Sequence, residues 1–391
     1  MKVALAIDAL APPLTGIGRY TWELAQRMYC STQFDDVCFY ANGISYKDPS
    51  SKLNEGKHSA RLLPGRAISN WWGRKQARAC MRSHLFHSPN YLLPKGVESG
   101  VITVHDLSVF RFAQSHPKAR VEQFEQQFNS TLARSRHIIT DSEAIRSEVA
   151  SYFNWPIERI TSVPLGVSPT FRQHDAAELL PALASLSLRA GHYALCISTL
   201  EPRKRIDRLI DAYAALPAPL RYQFPLVIAG ASGWLSEGIM ARIHALSPQG
   251  WIRYIGFVDE ARLPALYAGA RAFFFPSIYE GFGLPAIEAM ASGVPTLTTG
   301  NSVMSEVCDD AAWLTNPDDH DALRNDIERV LTDDEWRARA VKKGFARAAL
   351  YHWDTCFART LDVYRSIQDN PTTPGYGSLA LNTATHDIVQ R

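Results

Sequence analysis

Short apolar runs alternate with amphipathic segments along most of this chain. Segments with helical periodicity include residues 19–28, 117–133 and 142–153, the last preceded by Asp141-Ser142 at the N-cap position. Apolar strands separated by helices are typical of parallel sheets covered on both faces. In the first half, the runs that predict buried strands are residues 3–7, 37–40, 85–87, 101–104, 137–140 and 160–163.

The alternation stops at residues 164–169 and resumes at about residue 191. Residues 168–190 predict a connector with one helix. Later strands are predicted at residues 193–198, 226–229, 252–255, 272–275, 296–297 and 312–314, and helices at 206–216, 237–246, 263–268 and 285–292. We therefore predict an α/β protein with two Rossmann-like, doubly wound parallel-sheet domains, residues 1–167 and 191–353, facing a ligand cleft.

Bulk composition narrows the class of protein. A length of 391 residues fits two domains, and 46% hydrophobic with 20% charged residues fits an ordinary globular enzyme. A formal net charge of +2 argues against a nucleic-acid binder. The six cysteines form no CxxC pair, which favours reduced thiols over a disulfide framework or a zinc site. The first residues predict a strand rather than a signal peptide, so we expect a cytoplasmic location.

The most informative segment reads Glu280-Gly281-Phe282-Gly283-Leu284-Pro285-Ala286-Ile287-Glu288. It lies between a predicted strand and a helix that begins at a proline, so its loop is at the carboxyl end of a strand, where open α/β sheets bind ligands. The glycines let backbone approach a ligand, and the helix N-terminus favours an anion. Carboxylates at both ends of the segment suit the hydroxyls of a sugar or a ribose.

A basic run, Glu201-Pro202-Arg203-Lys204-Arg205, follows the first strand of the second domain. Its cations lie at the carboxyl end of that strand, where a diphosphate would bind. A basic loop can equally be a solvated surface. The proximity of the Glu280 segment along the same sheet edge favours the phosphate site.

Together these segments resemble the Glu-x7-Glu and basic motifs of retaining GT-B glycosyltransferases of family 4, also called group 1. The resemblance extends to about residue 367 and implies that a final helix, residues 354–367, crosses back to the first domain. It also implies that Glu288 binds ribose hydroxyls, that Glu280 holds the donor sugar, and that Arg203 and Lys204 stabilise the leaving diphosphate. Backbone of Phe282, Gly283 and Leu284 would meet sugar and phosphate. One departure is Ser198, where many members carry an arginine.

Three further segments resemble family loops around the donor. Gly16 and Gly18, after the first strand, would offer backbone N–H groups to the diphosphate. His105, at the end of another strand, would lie against the donor sugar as a catalytic residue, oriented by Asp106. Val258 and its neighbours would meet the base. A lone Gly-x-Gly or a single histidine is weak evidence without the family context, because both have ordinary structural uses.

Asp319-His320-Asp321 has the spacing of a metal-binding Asp-x-Asp motif, but it also fits the acidic first turn of a helix. We favour the helix, and we expect no metal and no cofactor, because the resemblance assigns the metal's role to protein cations.

Residues 61–82 carry basic residues but no acidic residue. A basic helix flanked by aromatic residues is typical of the surface by which a peripheral enzyme binds anionic lipid. A solvated helix face is the alternative. The basic residues are Arg61, Arg66, Arg74, Lys75, Arg78 and Arg82, and Trp71 and Trp72 lie among them.

The sequence thus predicts a metal-independent, retaining hexosyltransferase. The resemblance is strongest to mannosyltransferase-type members of O-antigen and polysaccharide synthesis, which implies a GDP-sugar donor, a lipid-linked glycan acceptor and the inner face of the plasma membrane. Contact with that membrane would use residues 66–82. The alternatives are a GT-B sugar-nucleotide epimerase or hydrolase, or a non-catalytic sugar-nucleotide-binding partner. The tail, residues 368–391, has little to bury, and we expect it to be loosely ordered.

Overall fold

The computed structural model describes residues 1–54, 64–115 and 118–369. Most of the predicted loose tail, from residue 370 onward, lies outside the described residues. Within the described ranges, no helix is long and apolar enough to cross a membrane.

The first half of the chain forms one sheet. Its strands pair in the order β3-β2-β1-β4-β5-β6-β7. All neighbours are parallel except β2 and β3, which are antiparallel. The strands are β1 (Lys2–Ala6), β2 (Asp36–Ala41), β3 (Ile44–Tyr46), β4 (Leu85–Ser88), β5 (Gly100–Val104), β6 (Ser135–Thr140) and β7 (Ile160–Ser162).

Helices connect these strands and continue through the connector. Ser142 caps α6, because its side chain accepts a hydrogen bond from Ile145 N–H, and Asp175 begins α7 with a capping box. The helices are α1 (Gly16–Cys30), α2 (Ser50–Asn54), α3 (Pro64–Ser83), α4 (Ser108–Arg111), α5 (Lys118–Arg134), α6 (Glu143–Phe153) and α7 (Ala176–Ser185).

A second sheet, all parallel, has the order β10-β9-β8-β11-β12-β13. Its strands are β8 (Ala194–Ile197), β9 (Leu226–Ala229), β10 (Ile252–Gly256), β11 (Ala272–Phe275), β12 (Thr296–Thr299) and β13 (Trp313–Thr315). The helices around it are α8 (Ile206–Ala214), α9 (Ala218–Gln223), α10 (Glu237–Leu246), α11 (Leu263–Ala268), α12 (Leu284–Ala291), α13 (Val303–Cys308), α14 (His320–Thr332) and α15 (Asp334–Ala348). Central strands are buried throughout, which explains their continuous apolar sequence.

The last described helix, α16 (Trp353–Asp369), returns to the first sheet. The Tyr364 hydroxyl lies 2.6 Å from Nδ1 of His87 on β4, and Arg136 on β6 donates to the carbonyl of Ile367 at 2.9 Å. The crossing begins where Gly166 packs against Trp353, so closely that a Cβ on Gly166 would lie 2.1 Å from the Trp353 nitrogen. The chain therefore passes between the two sheets twice, at the connector and before α16.

Strand β3 is absent from the prediction. It is a short edge strand whose three residues are only half-buried. Asn42 and Gly43, with φ of 49° and 79°, form the two-residue turn that joins it to β2. Asn-Gly is the sequence signal for such a hairpin turn, so the signal was present in the chain.

Candidate active site

A cavity of about 220 Å³ lies between the two sheets. From the first half it is lined by Gly16 and Ile17 at the start of α1, and by His105 and Asp106 after β5. From the second half it is lined by Ser198 and Thr199 after β8, Lys204, Phe275 and the run 280–285. Both sheets present the carboxyl ends of their strands here, which is the ligand-binding edge of α/β folds.

Glu280 and Lys204 line this cavity, and Arg203, which is not among the lining residues, contacts Glu280 from beside it. Lys204 Nζ donates to Glu280 Oε1, and Arg203 Nη1 lies 3.6 Å from Glu280 Oε2. Arg203 also donates to the Tyr279 carbonyl at 2.8 Å and to Glu201 Oε2 at 3.1 Å. The structure therefore brings Glu280 against two neighbouring cations, the nearer of which, Lys204, is 76 positions away in the sequence.

Burial and charge set the protonation of these cations. Burial is the main cause that lowers the pKa of the Lys204 ammonium, and the Glu280 carboxylate opposes it. Burial also acts to lower the pKa of Arg203, but the carboxylates of Glu280, Asp106 and Glu201 raise it above its usual value. Two buried cations and their carboxylate partners form a site that an anionic ligand can enter by exchanging partners.

The loop before α12 brings backbone to the same cavity. Gly283 has φ of 94°, a conformation that favours glycine, and a Cβ there would lie 2.4 Å from Met304 Sδ. Phe282, Gly283 and Leu284 all line the cavity. The N-terminus of α12 therefore faces the cavity, and backbone contacts of these residues with a donor stay a prediction.

Gly281 sits in the contact between the two halves. A Cβ there would lie 1.9 Å from the His105 carbonyl oxygen, and the Gly281 carbonyl accepts a hydrogen bond from Ser142 at 2.9 Å. The neighbouring Tyr279 hydroxyl donates to Glu148 Oε2 at 2.8 Å and accepts from Leu107 N–H at 2.8 Å. Nothing local in the sequence marks Ser142 or Tyr279 as an interdomain contact, so neither could be predicted as one.

The predicted ribose ligand, Glu288, lies one turn into α12. It is 6% exposed and is not among the cavity-lining residues. Burial raises the pKa of its carboxyl, while Arg19 of α1, 4.0 Å away, lowers it. Val258, predicted to meet the base, is buried to 7% exposure outside the cavity lining.

The glycine loop departs from the prediction at Gly18. The Gly18 N–H donates to Oγ1 of Thr15, the N-cap of α1, and Gly18 is not part of the cavity lining. Gly16 does line the cavity, and a Cβ on it would meet no atom within 4 Å. The backbone that faces the cavity is therefore that of Gly16 and Ile17.

His105 has a different partner from the predicted one. Its Nδ1 lies 2.7 Å from Asp141 Oδ2, and its Nε2 lies 2.8 Å from the Pro89 carbonyl. Asp106 instead accepts hydrogen bonds from Ser108 N–H at 2.8 Å and from the Tyr91 hydroxyl at 3.3 Å. The prediction that Asp106 orients His105 is wrong, because the side chain after a strand end need not point the same way as its neighbour. Both ring nitrogens of His105 have protein partners, so a hydrogen bond to a donor sugar would require one to be exchanged.

The remaining motifs have local structural uses. Asp319 is the N-cap of α14 and accepts from Ala322 N–H at 3.0 Å, which agrees with the helix interpretation of that acidic segment. Ser198, where many family members carry an arginine, lines the cavity, and its hydroxyl donates to the Thr199 carbonyl at 3.1 Å. Arg203 and Lys204 are therefore the cations that meet Glu280 among the residues the structure describes.

Comparison with known proteins agrees with this geometry. A model of the family described as glycosyl transferases group 1 matches residues 189–347. Over 382 residues the chain is 37% identical to O-antigen chain mannosyltransferase B of Escherichia coli, and the alignment covers 94% of this chain and 100% of that protein. The chain belongs to the group 1 glycosyltransferases.

Solved structures of low identity share the fold of this glycosyltransferase. Sucrose-phosphate synthase from Thermosynechococcus elongatus superposes with a TM-score of 0.70 at 21% identity, covering 95% of this chain and 100% of that one. WaaG, a glycosyltransferase involved in lipopolysaccharide biosynthesis, superposes with a TM-score of 0.69 at 15% identity, covering 92% and 99%. These likenesses, with two parallel sheets facing a cavity, confirm the predicted GT-B fold.

Proposed function

We propose that this glycosyltransferase is a mannosyltransferase of bacterial O-antigen synthesis that uses GDP-mannose, or a related GDP-deoxyhexose, as donor. The observation that carries transfer is the pairing of Glu280 with Lys204 in the lining of one interdomain cavity, with Arg203 against the same carboxylate. The choice of mannose and of the O-antigen rests on similarity to the Escherichia coli mannosyltransferase along its whole length. The GDP donor follows from the mannose assignment.

The site would act on the leaving group. As the bond between the sugar C1 and the phosphate oxygen breaks, negative charge develops on the diphosphate. Lys204 and Arg203 would stabilise that charge, together with the N-terminus of α12. Because two protein cations supply this stabilisation, we propose that the reaction needs no metal ion. Glu280, freed from Lys204, would accept hydrogen bonds from hydroxyls of the donor sugar.

We propose that transfer retains the anomeric configuration. The acceptor hydroxyl would form its bond to C1 on the face that the phosphate leaves, and its proton would pass to a donor phosphate oxygen. No side chain is then needed as nucleophile. His105, which lines the cavity and whose nitrogens are engaged by Asp141 and Pro89, would support the sugar from the first domain.

We propose that the acceptor is a lipid-linked glycan and that α3 contacts the anionic inner face of the plasma membrane. Trp72 is 59% exposed, and Lys75 Nζ lies 5.6 Å from the centre of its ring. The neighbouring cations on the helix are exposed and follow one another at helical spacing: Arg74, Arg78 and Arg82. Exposed cations beside an exposed aromatic ring suit a bilayer surface with anionic lipids. The basic stretch in the sequence also included Arg61, which lies outside the described residues, as do the side chains of Arg66 and Trp71.

A two-step experiment tests the proposal. First, thermal unfolding is measured with GDP, UDP, ADP and their sugar conjugates; a ligand at 100 times its dissociation constant stabilises by about 2.7 kcal/mol. A shift with GDP-mannose that Glu288→Ala abolishes supports the donor and its site. Second, GDP-mannose is incubated with an alkyl mannoside, with and without a metal chelator, and the product is analysed for an added hexose and its anomeric configuration.

Each other outcome points elsewhere. A shift with UDP or ADP sugars alone would overturn the GDP-mannose assignment. Donor consumed without any acceptor would favour a hydrolase, and a changed donor sugar would favour an epimerase. Donor binding with no turnover on any acceptor, including extracted lipid-linked glycan, would favour a non-catalytic binding partner. Loss of activity with the chelator, restored by a divalent ion, would refute metal independence.

A further inference from the structure

Arg19 on α1 reaches across the cleft to two carboxylates of the second domain. Its Nη2 donates to Glu260 Oε1 at 2.7 Å, and its Nη1 lies 4.0 Å from Glu288 Oε1. The guanidinium carbon lies 5.8 Å from the centre of the Phe171 ring. The Arg19 side chain is 18% exposed, so this cation is largely removed from solvent.

The place of Arg19 separates it from the diphosphate cations. Glu288 is the residue assigned to the ribose hydroxyls, and Glu260 directly follows the loop around Val258 that is expected to meet the base. Lys204 and Arg203 pair instead with Glu280, at the cavity assigned to diphosphate and sugar. Arg19 therefore acts at the nucleoside end of the donor site.

We propose that Arg19 is a positioning residue that contacts Glu260 and Glu288 across the cleft, at the nucleoside end of the donor site, and so holds the Glu288 carboxylate in place to accept hydrogen bonds from ribose hydroxyls. The assignment of the ligand as a nucleoside rests on the proposed function. The contact of Arg19 with Glu260 and Glu288 does not.

The charged and titratable groups that act on Glu288 give this role its physical basis. Burial has the largest influence on the pKa of the Glu288 carboxyl and raises it. Arg19 is the main group that lowers this pKa, and the Tyr267 hydroxyl lowers it less. The Glu260 carboxylate raises it. Tyr267 itself stays neutral, because burial raises its pKa well above the usual value. Cys196 acts on Tyr267 and is also neutral, because burial raises its pKa to about 12.

Removal of Arg19 therefore has a predictable sign. Without the cation, the pKa of Glu288 rises further and the protonated carboxyl becomes more populated. A protonated carboxyl loses acceptor capacity for ribose hydroxyls. The loss of nucleoside binding should be greater at acidic pH and should diminish as the pH rises and Glu288 ionises again.

The first test measures binding of GDP and of guanosine to Arg19→Gln by calorimetry from about pH 4.5, near the ordinary pKa of a glutamate, to about pH 8.5. We expect both ligands to bind more weakly than to wild type, by at least about tenfold at the pH where the loss is largest. Arg27→Gln is the matched control, because Arg27 lies on the same helix and pairs with Glu23 and Asp354. A loss with GDP alone would make Arg19 a phosphate ligand, and an equal loss at every pH would remove the role through Glu288; either result overturns the proposal.

The second test needs no nucleotide and separates this inference from the proposed function. Thermal unfolding is measured for Arg19→Gln, Glu288→Gln and the double variant. Arg19→Gln breaks the pair of Arg19 with Glu260 whether or not Glu288 is present. The loss of that pair therefore does not contribute to the difference between the two backgrounds. We expect Arg19→Gln to lower Tm more when Glu288 is present than in the Glu288→Gln background, by about 2 °C at pH 8, with the difference shrinking as the pH falls and Glu288 is protonated. Absence of coupling at pH 8 would overturn the proposal even if GDP-mannose is the donor, and coupling without binding of any nucleotide would support the clasp while refuting the donor.

Discussion

Replacing Lys204 with alanine tests the chemistry of the site most directly. Lys204 Nζ is paired with Glu280 and lies 5.5 Å from the centre of the Phe275 ring, in a side chain only 9% exposed. A cation held at this depth is weakly screened by solvent, so its action on a developing diphosphate charge is large. Removal of one preorganised group of this kind costs about 3 kcal/mol of transition-state stabilisation, or about a hundredfold in kcat.

The same substitution also affects folding. It leaves the Glu280 carboxylate buried with only Arg203 nearby, at 3.6 Å. Breaking a buried ion pair costs on the order of 3–5 kcal/mol when nothing replaces the lost partner. The melting temperature of Lys204→Ala must therefore be measured first, and kcat compared at a temperature where the variant is folded.

The assay compares kcat and donor KM for wild type, Lys204→Ala and a control, Arg208→Ala. Arg208 is a cation one turn further along the chain that is half-exposed and lies 3.9 Å from Asp207 and Asp318. We expect the control to stay within about twofold, because exposed pairs contribute little. A loss below about threefold in folded Lys204→Ala would refute the leaving-group role.

Three further predictions follow from the same contacts. Gly281→Ala places a Cβ 1.9 Å from the His105 carbonyl oxygen, so we expect the two domains to separate locally and kcat to fall at least about tenfold. Gly238→Ala is the control, because a Cβ there would meet no atom within 4 Å, and it should leave kcat unchanged. Burial acts to lower the pKa of His105, but the Asp141 carboxylate raises it above its ordinary value of about 6.5. The pair of His105 with Asp141 therefore contributes its full stabilisation of the folded state below that pH. This contribution is lost as the pH rises through the pKa of His105 in the folded protein. The difference in Tm between wild type and Asp141→Asn should shrink between about pH 6 and pH 9, and a constant difference would contradict this account. Binding to vesicles that contain anionic lipid should fall several-fold, with activity on a short soluble acceptor retained, when alanine replaces Arg74, Arg78 and Arg82; unchanged binding would remove the support for membrane contact.

Sequence reasoning worked best where burial dictates composition. Strands Leu226–Ala229 and Ala272–Phe275 are buried at every position, so their apolar runs match their bounds residue for residue. Helix Glu237–Leu246 was likewise predicted with its observed bounds. The edge strand Ile44–Tyr46 is half-buried, so its sequence has no clear alternation of apolar and polar residues. The local sequence signal for this strand is the Asn-Gly turn that precedes it.

The proximity of side chains in the site could be predicted for Glu280 and Lys204, which share a sheet edge, but not for His105 and its partner or for contacts between the two domains. Glu280 and Lys204 both follow strands of the second sheet, so their meeting follows from topology. The partner of His105 is Asp141, at the end of the next strand in the sheet rather than the next residue in the chain. Arg19 and Glu288 lie on different domains, and no local pattern relates them.

The return of α16 to the first sheet has a consequence for recombining this enzyme with its relatives. Because the Tyr364 hydroxyl bonds His87 and Arg136 donates to the Ile367 carbonyl, α16 belongs physically to the first domain. A chimera with a single junction near the connector would join α16 of one parent to the sheet of the other and mismatch those contacts. Exchange of the second domain between relatives therefore requires two junctions, one at the connector and one before α16, with both flanking segments taken from one parent.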